Sequence, residues 1–299
     1  MSRFPLRLAR TLVSLGFAFA APAAAGQPAP TTTYTSFDAV PGKSLQIRFY
    51  GSTSNHPTVL SRLGRQIGNV LLQRWFRRRE ADVPAARLGE GKAVYAIGDI
   101  HGRLDLLEQT LALVVEDAQR HPKDVARSLV FVGDYSDRGP DSRGVIERLR
   151  DDPLLGFATV RLMGNHEDAL LRFLDGHSDG LGWLTYGGLE TLMSYGVPVR
   201  ALPADSVAAE ELRRATKAAL PAGHEAFLRQ CSFHHVEDDY VFVHAGIRPG
   251  RVLDRQSPQD LLWIRDEFLR SVAPLPGSVI VHGHTICDDP QDSGASYQY

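Results

Sequence analysis

The stretch VYAIGDIHG, residues 94–102, joins a short apolar run to a polar turn that carries glycine, aspartate and histidine. The same succession of an apolar run and a glycine-bearing polar turn recurs four times along the chain. The further turns are GDYSDRG (133–139), GNHE (164–167), HAG (244–246) and HGHT (282–285). Helical patterns at about 104–119, 142–150 and 166–175 follow the first three turns. This alternation predicts an α/β domain whose strands are buried between helices.

The polar turns are the candidate functional site. Ligands of open α/β sheets collect at the carboxyl ends of the strands, so we expect the five turns to converge on one crevice. Carboxylate oxygen and imidazole nitrogen favour divalent metals such as manganese, iron or zinc, and no cysteine lies nearby to favour a softer metal. A single Gly-Asp after a strand is usually only a turn. Five such turns in one chain predict a hydrolytic metal centre.

The order DxH, GDxxDRG, GNH[DE] and two later histidines resembles the phosphoprotein phosphatase branch of the calcineurin-like metallophosphoesterases. This branch includes bacterial serine/threonine phosphatases and symmetrical diadenosine tetraphosphatases. The resemblance covers residues 92–285, and Ser136 stands where valine is usual. It implies a metallophosphoesterase-type β-sandwich flanked by helices, with a helical insert at about 176–230. The C-terminal sheet looks truncated, because the chain ends in a polar tail that is predicted to add no strand.

The resemblance also implies two divalent metal ions, with manganese as the expected metal and iron or zinc as alternatives. The first ion would be bound by Asp99, His101 and Asp134. The second would be bound by Asp134, which bridges the pair, and by Asn165, His244 and His284. A hydroxide held between the two ions would attack the phosphorus in line with the leaving group.

Four further residues are implied in catalysis by the same resemblance. His166 is the implied general acid, and Asp137 is the partner that would orient it. Arg138 is implied to bind phosphate oxygens through its planar guanidinium, and the segment 261–268 points to Arg265 as a second such arginine. His282 could lie behind the metal ligands. We interpret the remaining candidates as structural, namely Glu167, His234 and His235.

The resemblance favours a serine/threonine protein phosphatase, because GWLTYGGLETLMSYG (182–196) resembles the helical insert of the bacterial enzymes. Symmetrical bis(5'-nucleosyl)-tetraphosphatases use the same catalytic core and are the alternative. A third hypothesis is a non-catalytic, metal-stabilised binding protein. The expected partner is therefore a phosphoprotein or a small phosphorylated molecule. With a formal net charge of -2, the chain has no general attraction for nucleic acid. We also expect the protein to be a monomer.

The N-terminal part has a different character from the domain predicted at 92–299. Residues 1–25 combine three arginines, an apolar run and small residues in the layout of a signal peptide. Residues 26–57 are predicted to be disordered, and 58–91 to form a basic amphipathic helix, at 59–79, and a linker. The helix could contact a membrane surface or pack on the domain. A functional signal predicts a periplasmic or secreted protein, and a spurious extension at 1–57 predicts a cytoplasmic one.

Overall fold

A computed structural model of the chain describes residues 47–48, 86–199, 202–271, 275–285, 291–292 and 296–298. The predicted signal peptide at 1–25 and the predicted helix at 59–79 lie outside these ranges. Of the segment 26–57, which is predicted to be disordered, only Ile47–Arg48 are described, and they form a short strand. Among the described residues, no helix has the length and apolar character needed to cross a bilayer.

Strands and helices alternate in the first half of the domain, as the sequence predicts. The elements there are β1 (Ile47–Arg48), β2 (Lys92–Ile97), α1 (Leu104–Ala118), β3 (Ala126–Phe131), α2 (Ser142–Arg150), β4 (Phe157–Arg161) and α3 (Asn165–Leu174). The helical insert comprises α4 (Leu181–Trp183), a π-helical turn (Leu184–Gly188), α5 (Leu189–Ser194), α6 (Ser206–Ala219) and α7 (Ala222–Gln230). After it come β5 (His234–Glu237), β6 (Tyr240–Val243), a 3-10 turn (Leu253–Arg255), α8 (Pro258–Trp263), α9 (Asp266–Leu269), β7 (Val279–His282), β8 (Gln291–Asp292) and β9 (Ser296–Gln298).

The strands form two sheets. Strands β1 to β4 make a parallel sheet in sequence order. The second sheet has the order β5-β6-β7-β9-β8, in which β6, β7 and β9 are parallel and the two edge strands are antiparallel to their neighbours. Parallel neighbours need a crossover connection, and helices lie in the connections from β2 to β3, from β3 to β4 and from β6 to β7.

Alternating side chains place the two sheets face to face. In and just after β3, Val130 and Val132 pack between the sheets, whereas Leu129 and Phe131 pack under the helices on the other face. Successive strand residues point to opposite faces, so both faces of each central strand are buried. The core between the sheets contains Val94, Ala96, Val130, Val132, Tyr240, Phe242, Val279 and Val281. The predicted α/β sandwich is therefore confirmed.

Helices cover the outer face of each sheet. Helices α1, α2, α3, α5 and α7 contribute to the cluster that covers the first sheet. The second sheet is covered by the short helices α8 and α9, through Leu261 and Phe268. Both sheets are thus flanked by helices, and their carboxyl ends remain open at one edge of the sandwich.

The polar C-terminal tail was predicted to add no strand, and this prediction was wrong. Strand β9 pairs in parallel with β7, and β8 pairs with β9. Pairing at a sheet edge uses backbone N–H and C=O groups, so a tail without alternating apolar residues can still extend a sheet.

Replacement of Phe242 by alanine should lower the free energy of unfolding by about 3–5 kcal/mol, because it opens a cavity between the sheets. The Phe242 side chain is fully buried. Chemical denaturation monitored by circular dichroism measures the change. Val236→Ala is the matched control, since Val236 lies on the neighbouring edge strand and is 47% exposed. Equal stability of the two variants would contradict this account of the core.

Candidate metal centre

Backbone hydrogen bonds join the turns that follow the strands. The amides of Ile100 and His101 both donate to the carbonyl of Asp134, at 2.9 and 2.8 Å. The amide of Gly283 donates to the carbonyl of His244 at 2.8 Å. The turn after β2 is therefore bonded to the turn after β3, and the turn after β6 to the turn after β7. The convergence predicted from the sequence is found.

Two of these turns approach so closely that only glycine fits. A Cβ on Gly133, which has φ of +102°, would lie 2.6 Å from the amide nitrogen of Gly164. A Cβ on Gly164 would lie 2.2 Å from the amide nitrogen of Asp134. The first glycines of GDYSDRG and GNHE therefore allow Asp134 to lie beside the beginning of α3.

Asp134 belongs to two clusters of candidate metal ligands. His101, Asp134 and His166 form the first, and Asp134, His244 and His284 the second; in each cluster the ligand atoms lie within 4.8 Å of one another. Asp134 Oδ2 lies 3.6 Å from His101 Nε2, and Oδ1 lies 3.4 Å from His244 Nε2. Each carboxylate oxygen thus faces a different cluster, as a bridging ligand would require.

The two other predicted metal ligands, Asp99 and Asn165, differ from each other in their surroundings. The carboxylate of Asp99 accepts a hydrogen bond from the backbone amide of His284, with both oxygens at 3.2 Å, and Asp99 belongs to neither cluster. His166 takes its place beside His101 and Asp134. Asn165 Oδ1 lies 2.8 Å from His244 Nε2, at the second cluster.

Backbone carbonyls fix the orientation of two histidines. His244 Nδ1 lies 2.8 Å from the carbonyl oxygen of Val132, and His101 Nδ1 lies 2.9 Å from that of Ser136. Since Nδ1–H donates to these carbonyls, each Nε2 is left with a lone pair that faces Asp134. Histidine metal ligands are commonly held in this way.

Burial controls the protonation of the metal-free clusters. It lowers the pKa of His101 to about 3 and that of His284 to about 2, so both imidazoles are neutral. Burial, followed by the charge of Asp134, raises the pKa of Asp99 to about 6. Burial alone would raise the pKa of Asp134, but the surrounding histidines, above all His244, outweigh it and lower the pKa. The Asp134 carboxylate is therefore ionised, beside the neutral imidazoles of His101 and His284.

These residues fit divalent metal ions. His284 Nε2 is buried and has no hydrogen-bond partner among the residues that the structure describes. The lone pairs of His244 Nε2 and Asn165 Oδ1 face each other, an arrangement that a cation would stabilise. Nitrogen and oxygen donors suit manganese, iron or zinc.

His166, Asp137 and Arg138 adjoin the first cluster. His166 Nδ1 lies 2.6 Å from Asp137 Oδ2, and Arg138 Nη2 lies 3.1 Å from His166 Nε2. Burial would lower the pKa of His166, but Asp134 and Asp137 raise it to about 9 in the metal-free site. The contact with Arg138 favours the neutral imidazole instead, because a guanidinium can donate a hydrogen bond only to an imidazole nitrogen that carries no proton. When the exposed Arg138 side chain lies away from His166 Nε2, the His166 imidazole is protonated at both nitrogens.

The remaining predicted residues lie at the edge of the site. Arg265 Nη1 donates to the carbonyl oxygen of His284 at 3.3 Å and to Thr285 Oγ1 at 3.2 Å. Arg265 therefore lies next to the second cluster. His282 is buried and packs edge-on against Phe268, with ring centroids 4.9 Å apart.

A model of the calcineurin-like phosphoesterase family matches residues 92–295, which contain all of these turns. The chain belongs to this family. The family resemblance inferred from the polar turns is therefore confirmed, and a metallophosphoesterase-type hydrolase with a dinuclear metal centre is the assignment that it supports.

Curated members of the family give two kinds of relative. A symmetrical bis(5'-nucleosyl)-tetraphosphatase of Nitrosomonas europaea is 32% identical over 163 residues, which are 53% of this chain and 46% of the relative. Serine/threonine-protein phosphatase 2 of Escherichia coli is 38% identical over 95 residues, 32% of this chain and 38% of the relative. The chain thus spans less than half the length of either relative.

Solved structures to which the chain is similar include a cold-active protein tyrosine phosphatase. It is 18% identical and has a TM-score of 0.43, with 74% of this chain and 77% of that chain covered. A serine/threonine phosphatase of Saccharomyces cerevisiae is 17% identical with a TM-score of 0.39, and the match covers 69% of this chain and 65% of that chain. These similarities carry no argument about substrate.

Glu167, interpreted as structural from the sequence, holds together the polar turns that follow β3 and β4. Its Oε2 accepts from the amides of Asp134 and Gly164, at 2.8 and 3.1 Å. Its Oε1 accepts from the amides of Tyr135 and Ser136 and from the Ser136 hydroxyl, at 2.8–3.0 Å. Burial and then Asp134 raise the pKa of Glu167 to about 7. Because all five partners are donors, the ionised carboxylate satisfies them best.

Two contacts of this site are not predicted from the sequence. Trp183 and Thr191, in the insert, donate to the Asp137 carboxylate. Both residues lie in the segment 182–196, but the sequence gives no sign that their side chains reach Asp137.

Glu167→Gln should destabilise the domain by about 1–3 kcal/mol, because an amide NH2 would face backbone N–H donors. Metal affinity should fall as well, since the turn that carries Asp134 loses its anchor. Thermal unfolding with and without manganese measures both effects. Asp168→Asn is the matched control, because it removes one negative charge from the next residue of α3. A Glu167→Gln variant as stable as this control would contradict the anchoring role.

Proposed function

We propose that this chain is a metal-dependent phosphomonoesterase, and that phosphoserine and phosphothreonine side chains of proteins are its substrates. The observation that carries this proposal is the pairing of His166 with Asp137 directly beside Asp134. Asp134 itself belongs to both ligand clusters. A carboxylate-paired imidazole at a metal-type centre is suited to protonating a leaving group while a phosphate is bound nearby.

The ligands of the two ions, in this proposal, are Asp99, His101, Asp134, Asn165, His244 and His284, with manganese as the expected metal. When bound, the two ions would neutralise charge on the phosphate oxygens and activate water. The 3.2 Å hydrogen bonds from the His284 amide hold Asp99 at the edge of the clusters. Asp99 would belong to the ligands of the first ion, with His101 and Asp134.

His166 supplies the proton in this proposal. Its Nδ1–H donates to Asp137, so the proton that leaves must come from Nε2, which faces the centre. Arg138 lies against Nε2 in the metal-free site and has an exposed side chain. A bound phosphate would attract the guanidinium through charge-assisted hydrogen bonds and release Nε2. In this proposal Arg265, which donates to the carbonyl of His284 in the second cluster, contacts the same phosphate.

The chemistry of the leaving group supports a monoester substrate. An alkoxide leaving from phosphoserine or phosphothreonine is strongly basic and needs a proton, whereas a phosphate leaving from a phosphoanhydride is weakly basic. A buried imidazole–carboxylate pair accelerates the reaction most when an alkoxide leaves. The resemblance of 182–196 to the insert of bacterial serine/threonine phosphatases points the same way.

Hydrolysis of dinucleoside tetraphosphates is the second candidate. It is favoured by the longer match to the Nitrosomonas europaea tetraphosphatase, 163 residues against 95 for the Escherichia coli protein phosphatase. Substrate preference therefore has to be measured directly.

Metal-free protein reconstituted with manganese should hydrolyse para-nitrophenyl phosphate and a phosphothreonine peptide, and chelation should abolish the activity. Asp134→Asn should lose activity because both clusters lose a charged ligand. His166→Asn should lower turnover of the peptide by about 100-fold or more, the usual contribution of a general acid. Phosphate release measures each rate, and diadenosine tetraphosphate is assayed in parallel.

Preference for diadenosine tetraphosphate over the peptide would support the second candidate instead. Complete inactivity of folded protein with two metal ions bound, measured by elemental analysis, would support a non-catalytic binding protein.

Arg138→Lys should raise KM for the phosphothreonine peptide by about tenfold, because lysine keeps the charge but loses the planar fork that holds two phosphate oxygens. Steady-state kinetics with the peptide measures it. Arg143→Lys, at an exposed arginine of α2, is the matched control and should leave KM unchanged. If both variants behave alike, Arg138 does not bind phosphate.

A further inference from the structure

The carboxylate of Asp137 is fully buried, and each of its oxygens accepts hydrogen bonds. Oδ2 accepts from His166 Nδ1 at 2.6 Å and from the indole Nε1 of Trp183 at 2.8 Å. Oδ1 accepts from the hydroxyl of Thr191 at 2.6 Å. Since a single donor would leave the carboxylate free to rotate, the donors from Trp183 and Thr191 determine its plane.

Both additional donors come from the helical insert. Trp183 ends α4 and Thr191 lies in α5, and both side chains are buried. Trp183 is supported from behind by Phe173, with ring centroids 5.3 Å apart. The insert is therefore packed rigidly enough to hold the two donors in place.

Thr191 also contacts the backbone of Asp137. The amide of Asp137 donates to Thr191 Oγ1 at 2.9 Å and to Ser142 Oγ at 3.0 Å. These bonds hold Asp137 in a left-handed conformation, with φ of 72°. The next amide, that of Arg138, donates to the carbonyl of Gly187 at 3.0 Å. The insert thus determines both the backbone and the side chain of Asp137.

We propose that Trp183 and Thr191 are positioning residues for catalysis, which act on the leaving-group step by orienting Asp137 and, through it, His166. This inference rests on the proposed function, because it assumes that His166 protonates the leaving group. The hydrogen bonds that the two side chains donate go to Asp137 and Ser142, which are not members of the ligand clusters. Their loss should therefore affect proton donation and leave metal binding intact.

Leaving-group dependence distinguishes this role from a general structural one. Para-nitrophenolate is weakly basic and departs with little protonation, whereas the alkoxide of a phosphothreonine peptide is strongly basic. Thr191→Val should lower kcat for the phosphothreonine peptide by about tenfold or more, the effect of one hydrogen bond to a charged group, and change kcat for para-nitrophenyl phosphate much less. Trp183→Phe, which keeps a ring against Phe173, should show the same pattern.

Three further proteins complete the experiment. Thr191→Ser keeps the hydroxyl and should restore most of the lost activity. Thr191→Val combined with His166→Asn should be no slower than His166→Asn alone, because the two residues act on one step. Thr185→Val is the matched control, since Thr185 is an exposed threonine of the same insert whose hydroxyl donates to the carbonyl of Gly182.

An equal loss of activity on both substrates, or a further loss in the double variant, would overturn the inference. Manganese content and melting temperature of each variant show whether metal binding or folding has changed. Should the unsubstituted protein hydrolyse neither substrate, the proposed function itself fails, which is a different result from a uniform loss in the Thr191 variant.

Discussion

The hydrogen bonds around the Glu167 carboxylate are the constraint on which the rest of the site depends. They bind the beginning of α3 to the turn after β3, two segments that are separated along the chain. The turn can then place one oxygen of Asp134 toward each ligand cluster. Without a buried acceptor here, the amides of Asp134, Tyr135 and Ser136 would have no partners, and each buried unsatisfied donor is costly.

Backbone strain is concentrated at the same place. Six of the described residues have a positive φ although they are not glycine, namely His101, Asp134, Asp137, Arg138, Asp238 and His284. All except Asp238 belong to the site. Left-handed conformations of such residues cost about 1–3 kcal/mol each, and they persist only where surrounding interactions enforce them. The turns bonded to one another, and to Glu167, provide that enforcement.

The sequence predicts the convergence of the turns because each polar cluster directly follows an apolar strand, and strand ends of one sheet meet. It does not predict that His166, rather than Asp99, forms a cluster with His101 and Asp134. That arrangement depends on left-handed backbone at Asp134 and His101, which residue types do not reveal. The tail strands were missed for a related reason, since edge pairing of Ser296–Gln298 requires only backbone groups. Contacts of Trp183 were missed because they span 46 residues.

The insert connects chemistry with the choice of substrate. Its buried residues, Trp183 and Thr191, contact Asp137, whereas Tyr186 and Met193 are 66% and 70% exposed. Any phosphoesterase that needs an oriented His166 would keep these buried residues, whatever its substrate. Only the exposed positions can meet a substrate that approaches from solvent. The resemblance of 182–196 to serine/threonine phosphatases is therefore stronger evidence about the leaving-group step than about the protein or nucleotide that carries the phosphate.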